Sequence, residues 1–264
     1  MHHVASPDGT AIAYWRSGDG PPLLLIHGAV ADHTRWTPLL GGFEQRYAVF
    51  TVDRRGRGGS GDTAPYTIER EYEDVAAVID AIDTPVHVVG HSFGAVCALM
   101  VPRYTSNIRS LVLYEPPPLG GPDLMPPSLA TQLRNLIDRG DRDGAVALFL
   151  REIAHMAATD VEMMRTMPSW QGRIDAAHTI MREVVDLPRL SPYQADDLQS
   201  ITVPVLMLLG GISVEPYVGT TRYVDAHLPN SRIVELPGQG HAATTSAPEL
   251  FTREVLAFLA TVPG

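Results

Sequence analysis

A serine between two glycines is the residue of this chain best suited to nucleophilic chemistry. Ser92 lies in the motif G-H-S-F-G at residues 90–94, after the apolar run 86–89 and before the small and apolar run 95–100. This order predicts a strand, a tight turn and a helix with the serine at the apex. Small residues two positions away on either side let strand and helix pack closely, and the strained turn exposes the hydroxyl. We therefore predict that Ser92 is a nucleophile and that the N–H of Phe93 points at the group it attacks.

A serine hydroxyl is a poor nucleophile until a neighbouring base takes its proton. His241 is the best placed of the ten histidines, because it lies in a glycine-flanked loop between the last predicted strand and the closing helix. Imidazole titrates near neutral pH, which suits it to this proton transfer. We predict that His241 is the general base, that His27 braces a loop and that His91 has a packing role.

The elements that must position these groups alternate between buried strands and helices. Strands are predicted at residues 23–26, 47–52, 86–89, 110–114, 203–209 and 232–236, and helices at 36–43, 68–82, 95–100, 218–227 and 248–261. Continuous apolar strands alternating with helices indicate an α/β fold with a mostly parallel, doubly wound sheet. The alternating residues 8–14 are expected to add an antiparallel edge.

The pattern changes between residues 116 and 198, where no buried strand is predicted. Helical stretches at 128–139, 142–156, 161–167 and 174–185 are separated by proline and glycine, and methionine is frequent. Since α/β sheets bind ligands at their carboxyl edge, we expect these helices to form a cap over that edge. The predicted division is therefore a core of residues 1–115 and 199–264 and a cap of residues 116–198. Met125, Met156 and Trp170 of the cap, with Trp36 of the core, are the predicted walls of an apolar substrate pocket.

The composition narrows the classes of partner. The chain has 264 residues, 45% of them hydrophobic, and a net charge of −10. This net negative charge argues against a nucleic acid or an anionic membrane surface as a binding partner. The arginines at residues 54–57 are expected to lie in a solvated loop. No apolar run approaches the roughly 18 residues of a membrane span and no secretory signal is visible, so a cytoplasmic protein is expected. The histidines and the single cysteine, Cys97, form no metal-binding spacing.

The order of these parts resembles the α/β-hydrolase family over essentially the whole chain. The resemblance rests on His27-Gly28 after the first apolar strand, on G-H-S-F-G at 90–94 and on Gly240-His241 before the closing helix. Residues 53–60, D-R-R-G-R-G-G-S, also resemble the family's D-x-R-G-x-G-x-S loop. The resemblance implies a cofactor-independent mechanism with Ser92 as nucleophile, His241 as base, and the N–H groups of Ala29 and Phe93 as the oxyanion hole.

The acid of the expected triad departs from the family's pattern. Its usual position follows the strand that ends at Leu209, and here Ser213 stands where an aspartate is expected. Glu115, at the end of the strand after the nucleophile helix, is the favoured substitute. Glu215, about two residues beyond the usual position, is the alternative, and a site without a carboxylate partner is a third option. A displaced acid can still hold the imidazole tautomer and stabilise the imidazolium.

These residues together predict a serine hydrolase that cleaves a carboxylic ester or lactone through an acyl-enzyme. The expected partner is a small or medium apolar substrate, with no nucleic acid, membrane, metal or cofactor. A C–C bond hydrolase, an amidase and a perhydrolase on the same triad stay open as alternatives. So do a non-catalytic or biosynthetic protein with this fold, and a homodimer.

Overall fold

An eight-stranded sheet forms the centre of the molecule. The computed structural model describes residues 1–119, 126–186 and 193–263. The strands are β1 (His2–Ala5), β2 (Ala11–Ser17), β3 (Pro22–Ile26), β4 (Ala48–Val52), β5 (Val86–His91), β6 (Ile108–Tyr114), β7 (Val205–Gly210) and β8 (Ser231–Leu236). Their order is β1-β2-β4-β3-β5-β6-β7-β8. The pairs β1·β2 and β2·β4 are antiparallel and all others are parallel, which confirms the predicted mostly parallel sheet with an antiparallel edge.

Helices lie in the segments between the strands and after the last one. They are α1 (Thr37–Phe43), α2 (Ile68–Ile82), α3 (Phe93–Met100), α4 (Pro127–Asp138), α5 (Arg142–Glu152), α6 (Ala158–Arg165), α7 (Trp170–Asp175), α8 (Ile180–Asp186), α9 (Ala195–Gln199), α10 (Glu215–His227), α11 (Ala243–Ser246) and α12 (Pro248–Leu259). Helix α2 has the predicted bounds. The single helix predicted at 174–185 is wrong, because α7 and α8 are joined there by the 3₁₀ turn Ala176–Thr179.

The apolar residues of β3 show why both faces of the sheet are covered. Successive side chains of a strand point to opposite faces. Leu24 and Ile26 pack in the apolar cluster that contains α2 and α3, whereas Leu23 and Leu25 pack in the cluster that contains α1 and α12. All four are fully buried. A strand buried on both sides has to be apolar throughout, which is the pattern that its sequence shows.

The helices α4 to α8 lie between β6 and β7 and share a third apolar cluster. Leu133, Phe149, Trp170 and Ile180 belong to it, and it also includes Val30 of the core. The insertion therefore packs mainly on itself and touches the core through a few side chains. The boundaries at residues 115/116 and 198/199 stay a prediction. Among the described helices, none is long and apolar enough to cross a membrane.

The arginine-rich segment after β4 is buried, so the prediction of a solvated loop is wrong. Arg54, Arg55 and Arg57 are at most 2% exposed. Their ion-pair partners come from segments distant in sequence, namely Asp8, Glu71 and Asp74 of the core and Glu183 of α8. These carboxylates compensate the charge of the three guanidinium groups, which would be costly to bury unpaired. None of these carboxylates lies within residues 53–60. The sequence of this segment therefore showed three unpaired arginines, which led to the prediction of a solvated loop.

Candidate active site

Ser92 lies at the apex of a strained turn between β5 and α3. Its backbone has φ 55° and ψ −123°, a conformation that L-residues rarely adopt. A Cβ at position 90 would overlap the backbone of Gly94, and a Cβ at position 94 would overlap the carbonyl of Ile26. Only glycine fits at these two positions, so the G-x-S-x-G spacing is a steric requirement of this turn. The strained serine and its two glycines agree with the predicted nucleophile turn.

Two backbone N–H groups are available near the serine. Phe93 is the first residue of α3, where N–H groups have no partner within the helix. The carbonyl of Gly28 accepts hydrogen bonds from Nδ1 of His27 at 2.8 Å and from Nη1 of Arg54 at 3.2 Å. The C=O and N–H of a trans peptide point in opposite directions, so these bonds turn the Ala29 N–H away from both donors. Ala29 and Phe93 line the same cavity as Ser92.

His27 has a fixed tautomer that excludes it from proton transfer. Its Nδ1–H donates to the Gly28 carbonyl, and its Nε2 accepts from the Arg54 backbone N–H at 3.1 Å. Burial, together with the nearby guanidinium groups of Arg54 and Arg57, holds the pKa of His27 well below its usual 6.5. Both ring nitrogens are therefore occupied by loop backbone, which agrees with the predicted bracing role.

Arg54 contacts both segments that carry these N–H groups. Its guanidinium donates to Gly28, lies 4.3 Å from the ring centroid of Phe93, and pairs with both oxygens of Glu71 at 2.9 Å. A charged donor on the Gly28 carbonyl polarises the peptide and makes its N–H, that of Ala29, a stronger donor. The sequence analysis missed this residue because its partners lie on other elements.

His241 and Glu115 form a direct hydrogen bond. Nδ1–H of His241 donates to Oε2 of Glu115 at 2.6 Å, and both side chains are almost fully buried. Oε1 of Glu115 accepts from the Gly210 N–H at 2.7 Å and from the Ser213 hydroxyl at 2.5 Å. Burial raises the pKa of Glu115, but these hydrogen bonds outweigh it and leave the pKa below the usual 4.5. With Nδ1 protonated, Nε2 of His241 is the basic nitrogen.

Glu215, the alternative acid, lies elsewhere. It is exposed at the first residue of α10. The structure therefore brings Glu115, and not Glu215, to His241. Glu115 directly follows β6, and its backbone has φ 48°. A positive φ at a glutamate is uncommon and is the backbone distortion that accompanies this placement.

The imidazole of His241 is enclosed by two aromatic rings and a fixed loop. Tyr217 stacks on it with centroids 4.1 Å apart and an interplanar angle of 19°, and His91 contacts it at 4.5 Å. Nε2–H of His91 donates to the carbonyl of His241 at 3.1 Å. The hydroxyl of Tyr114 donates to the Gly240 carbonyl and accepts from the Ala243 N–H, which ties the loop to β6. His241 is thus held by two ring contacts and through its backbone.

A cavity of about 310 Å³ opens beside Ser92 between the core and the cap helices. Its walls are mainly apolar, and the described residues that line it are Ala29, Ser92, Phe93, Pro117, Pro118, Pro126, Leu129, Phe149, Glu152, Ile153, Ala154, His155, Glu183, Pro216 and Tyr217. The volume lies at the small end of the range for ligand sites, roughly 300–1,000 Å³. The cavity can therefore hold a small or medium-sized apolar molecule.

The predicted pocket walls are not in this lining, and their positions correct the prediction. Trp36 is fully buried beneath the sheet against Leu39 and Phe43 of α1. Met156 and Trp170 pack inside the cap's apolar cluster, and Met125 lies outside the described residues. Composition indicated apolar residues in a cap, but it could not tell which of them face the cavity and which face their own helices.

Tyr217, Glu183 and His155 of the lining were not among the predicted pocket walls. Tyr217 reaches the cavity from α10 and Glu183 from α8. His155 reaches it from the loop between α5 and α6, where its backbone has φ 48°. No local motif marks any of them. Each reaches the cavity only because segments far apart in sequence meet there.

The arrangement supplies the parts that acyl transfer needs. Ser92, Ala29 and Phe93 line one mainly apolar cavity, and Tyr217, which lines it too, stacks on the imidazole of the His241–Glu115 pair. In the described ranges, no cluster of three or more histidine, cysteine or acidic residues could hold a metal ion.

The chain is similar to known proteins over most of its length. A model of the alpha/beta hydrolase family matches residues 23–254. An alpha/beta hydrolase from Sphaerobacter thermophilus is 35% identical with a TM-score of 0.83, over 98% of this chain and 100% of that one. The pimeloyl-[acyl-carrier protein] methyl ester esterase of Nitrosomonas europaea is 25% identical over 257 residues, 89% of this chain and 94% of that protein. The probable oxidoreductase EphD of Mycobacterium tuberculosis is 36% identical over 100 residues, 35% of this chain, and the match spans only 17% of that protein.

Proposed function

Because this chain belongs to the alpha/beta hydrolase family, we propose that it hydrolyses a carboxylic ester or lactone through an acyl-enzyme formed on Ser92. The observation that carries the proposal is the 2.6 Å hydrogen bond from His241 to Glu115. It leaves a basic ring nitrogen on a histidine whose stacking partner, Tyr217, lines the cavity of Ser92.

In the first half-reaction, Nε2 of His241 removes the proton of the Ser92 hydroxyl as its oxygen attacks the ester carbonyl. The carbonyl oxygen becomes an oxyanion that accepts hydrogen bonds from the N–H groups of Ala29 and Phe93. The C–O bond to the alcohol then breaks, and the alcohol leaves with the proton held by His241. In a lactone, the alcohol stays attached to the acyl group.

In the second half-reaction, a water molecule replaces the alcohol. His241 takes a proton from the water as its oxygen attacks the acyl-enzyme, and the same two N–H groups stabilise the second oxyanion. Collapse of this intermediate releases the carboxylic acid and returns the proton to Ser92. Glu115 stays ionised throughout, holds the imidazole orientation and stabilises the imidazolium.

The size and polarity of the cavity support an uncharged substrate of modest length. About 310 Å³ of mainly apolar space suits a short or medium acyl chain. The esterase name of the Nitrosomonas relative favours an ester as the scissile group.

The experiment combines turnover with covalent labelling. Native protein is expected to hydrolyse p-nitrophenyl butyrate and to react with a fluorophosphonate probe at Ser92, whereas Ser92→Ala should do neither. Ser106→Ala removes an exposed serine hydroxyl outside the cavity lining and is the matched control, expected to keep both activities. Native protein that neither turns over esters nor accepts the probe would refute the proposal and favour a non-catalytic role.

A further inference from the structure

One carboxylate in the cavity is buried but only half hydrogen-bonded. Glu183 of α8 lines the same cavity as Ser92, and its side chain is fully buried. Its Oε1 accepts from Nη2 of Arg54 at 2.6 Å and from Nη2 of Arg57. Its Oε2 has no hydrogen-bond partner among the described residues. A buried carboxylate oxygen that has lost water and gained no donor is unfavourable and requires an explanation.

The charges around Glu183 are already balanced. Arg54 and Arg57 contribute two positive charges, and Glu71 and Glu183 contribute two negative ones. A cation is therefore not needed to neutralise the cluster. What the free oxygen lacks is a donor, and a neutral hydroxyl or amide N–H supplies one without disturbing the charge balance.

The same geometry disfavours an anionic substrate. A carboxylate on the substrate would face the free oxygen of Glu183 and the second acidic residue of the lining, Glu152, and like charges in a partly closed cavity repel. The rest of the lining, including Phe149 and Ile153, offers apolar contact to a carbon chain.

We infer that Glu183 is a specificity-determining residue whose free oxygen accepts a hydrogen bond from the substrate. The preferred substrates are then uncharged esters or lactones that carry a hydroxyl or amide N–H, with carboxylate-bearing esters excluded. This inference rests on the proposed function, since it describes the substrate that reaches Ser92.

The test compares substrates that differ only in the donor. Methyl hexanoates with a hydroxyl at C3 or C6 are each paired with the methoxy compound, which keeps the oxygen and loses the O–H. A third pair, 2-hydroxyethyl and 2-methoxyethyl butyrate, places the donor in the alcohol. In native protein, kcat/KM should favour the hydroxyl member of at least one pair by about 10-fold, the range for a hydrogen bond to a charged group. Monomethyl adipate should be at least about 10-fold poorer than methyl hexanoate.

Two variants show whether Glu183 is the source of the preference. In Glu183→Gln, an amide oxygen can still accept from the two arginines and an NH₂ replaces the free oxygen, so the preference should shrink to within about twofold. Glu152→Gln removes the same charge from the cavity rim and should keep the preference. Circular dichroism verifies the fold of both variants, and the comparison of substrates on native protein decides the question if Glu183→Gln does not fold.

The outcomes separate this inference from the proposed function. Hydrolysis of methyl hexanoate with every hydroxyl and methoxy pair within twofold overturns the inference and leaves the proposed function intact. An unchanged preference in Glu183→Gln also overturns it. Absence of any ester hydrolysis or of labelling at Ser92 refutes the proposed function itself.

Discussion

Ser213 donates a hydrogen bond of 2.5 Å to Oε1 of Glu115, although Ser213 stands at the position where the family's pattern has the acid. The residue at the usual position of the acid thus supports the substitute. With the Gly210 N–H on the same oxygen, it leaves Oε2 free for His241. The carboxylate that bonds the imidazole therefore follows β6, whereas the family's pattern places one after β7.

Glu115→Gln should lower kcat by about 10³- to 10⁴-fold, because an amide cannot stabilise the imidazolium and can select the wrong tautomer. The substrate KM should change little. Steady-state hydrolysis of p-nitrophenyl butyrate measures both values, and circular dichroism verifies the fold. Glu215→Gln is the control and should stay close to native activity, since Glu215 is exposed on α10. Loss of activity in the Glu215 variant with a near-native Glu115 variant would reverse the assignment.

Ser213→Ala should lower kcat by a smaller factor, about 3- to 10-fold. The variant removes one of the two donors to Oε1 of Glu115, and the Gly210 N–H continues to hold that oxygen. A neutral donor to a charged group typically contributes about 1.5–3 kcal/mol when buried, part of which water recovers in the variant. A change in KM without a change in kcat would show that Ser213 contacts the substrate instead.

Arg54→Lys should lower kcat by about 10-fold and leave KM within about threefold. Lysine keeps the charge but cannot bind Glu71 with two nitrogens and also contact the Gly28 carbonyl. The Ala29 N–H then loses its orientation. The resulting loss of kcat should be smaller than the roughly 10²–10³-fold loss that follows removal of a whole oxyanion-hole donor. Kinetics on one ester, with pre-steady-state measurement of acylation, tests this expectation.

Arg55→Lys is the matched control for Arg54→Lys. Arg55 is equally buried in the same loop, but its guanidinium pairs with Asp74 and Asp8 and has no contact with Gly28 among its hydrogen bonds in the described structure. The Arg55→Lys variant should therefore have a lower free energy of unfolding and a nearly unchanged kcat. Equal losses of kcat in both variants would mean that the loop affects catalysis only by stabilising the fold, and that the contact of Arg54 with Gly28 has no separate role.

Tyr217→Leu should lower kcat by about 5- to 10-fold and Tyr217→Phe should not. The stacked ring, 4.1 Å from the imidazole, stabilises the positive charge that His241 acquires in the transition state. Phenylalanine keeps the ring and loses only a long 3.5 Å hydrogen bond to the Ile153 carbonyl. The decisive measurement is the comparison of kcat between the two variants, and equal values would exclude a role for the ring.

Stability should fall as the pH falls below about 6.5. Burial lowers the pKa of His27, His87 and His91 below 6.5, that of His87 to about 4. Below pH 6.5 the unfolded chain binds protons at these positions and the folded chain does not, so each contributes up to about 1.4 kcal/mol of lost stability per pH unit. For His87 this loss runs from pH 6.5 to about 4. Urea denaturation at pH 7.5, 6.0 and 5.0 measures it.

In His87→Asn, the free energy of unfolding should depend less steeply on pH, because one fewer proton is taken up on unfolding. Asparagine can replace the contact between Nδ1 and the Ser110 hydroxyl without titrating. A free energy of unfolding that is constant between pH 7.5 and 5.0 in the native protein would contradict the expectation that these three histidines are buried in neutral form.

Local pattern accounts for what the sequence predicted correctly. The strand, turn and helix around Ser92 lie within about 15 residues, and their glycine spacing follows from backbone contacts inside that unit. The strands β3 to β7 are mostly apolar because both faces of the sheet are covered. The position of His241 after the last strand placed it at the carboxyl edge without knowledge of any contact.

What the sequence by itself determined is the parallel α/β sheet, the strained serine turn and the histidine loop, because periodicity and turn chemistry act over a few neighbouring residues. Only the tertiary structure decided which carboxylate meets His241, which residues line the cavity and why Arg54, Arg55 and Arg57 are buried. Those outcomes depend on contacts between residues distant in sequence, and two of these contacts, His241 with Glu115 and Arg54 with Glu183, join residues more than 120 positions apart. Spacing along the chain carries no information about such distances until the sheet and the cap bring the segments together.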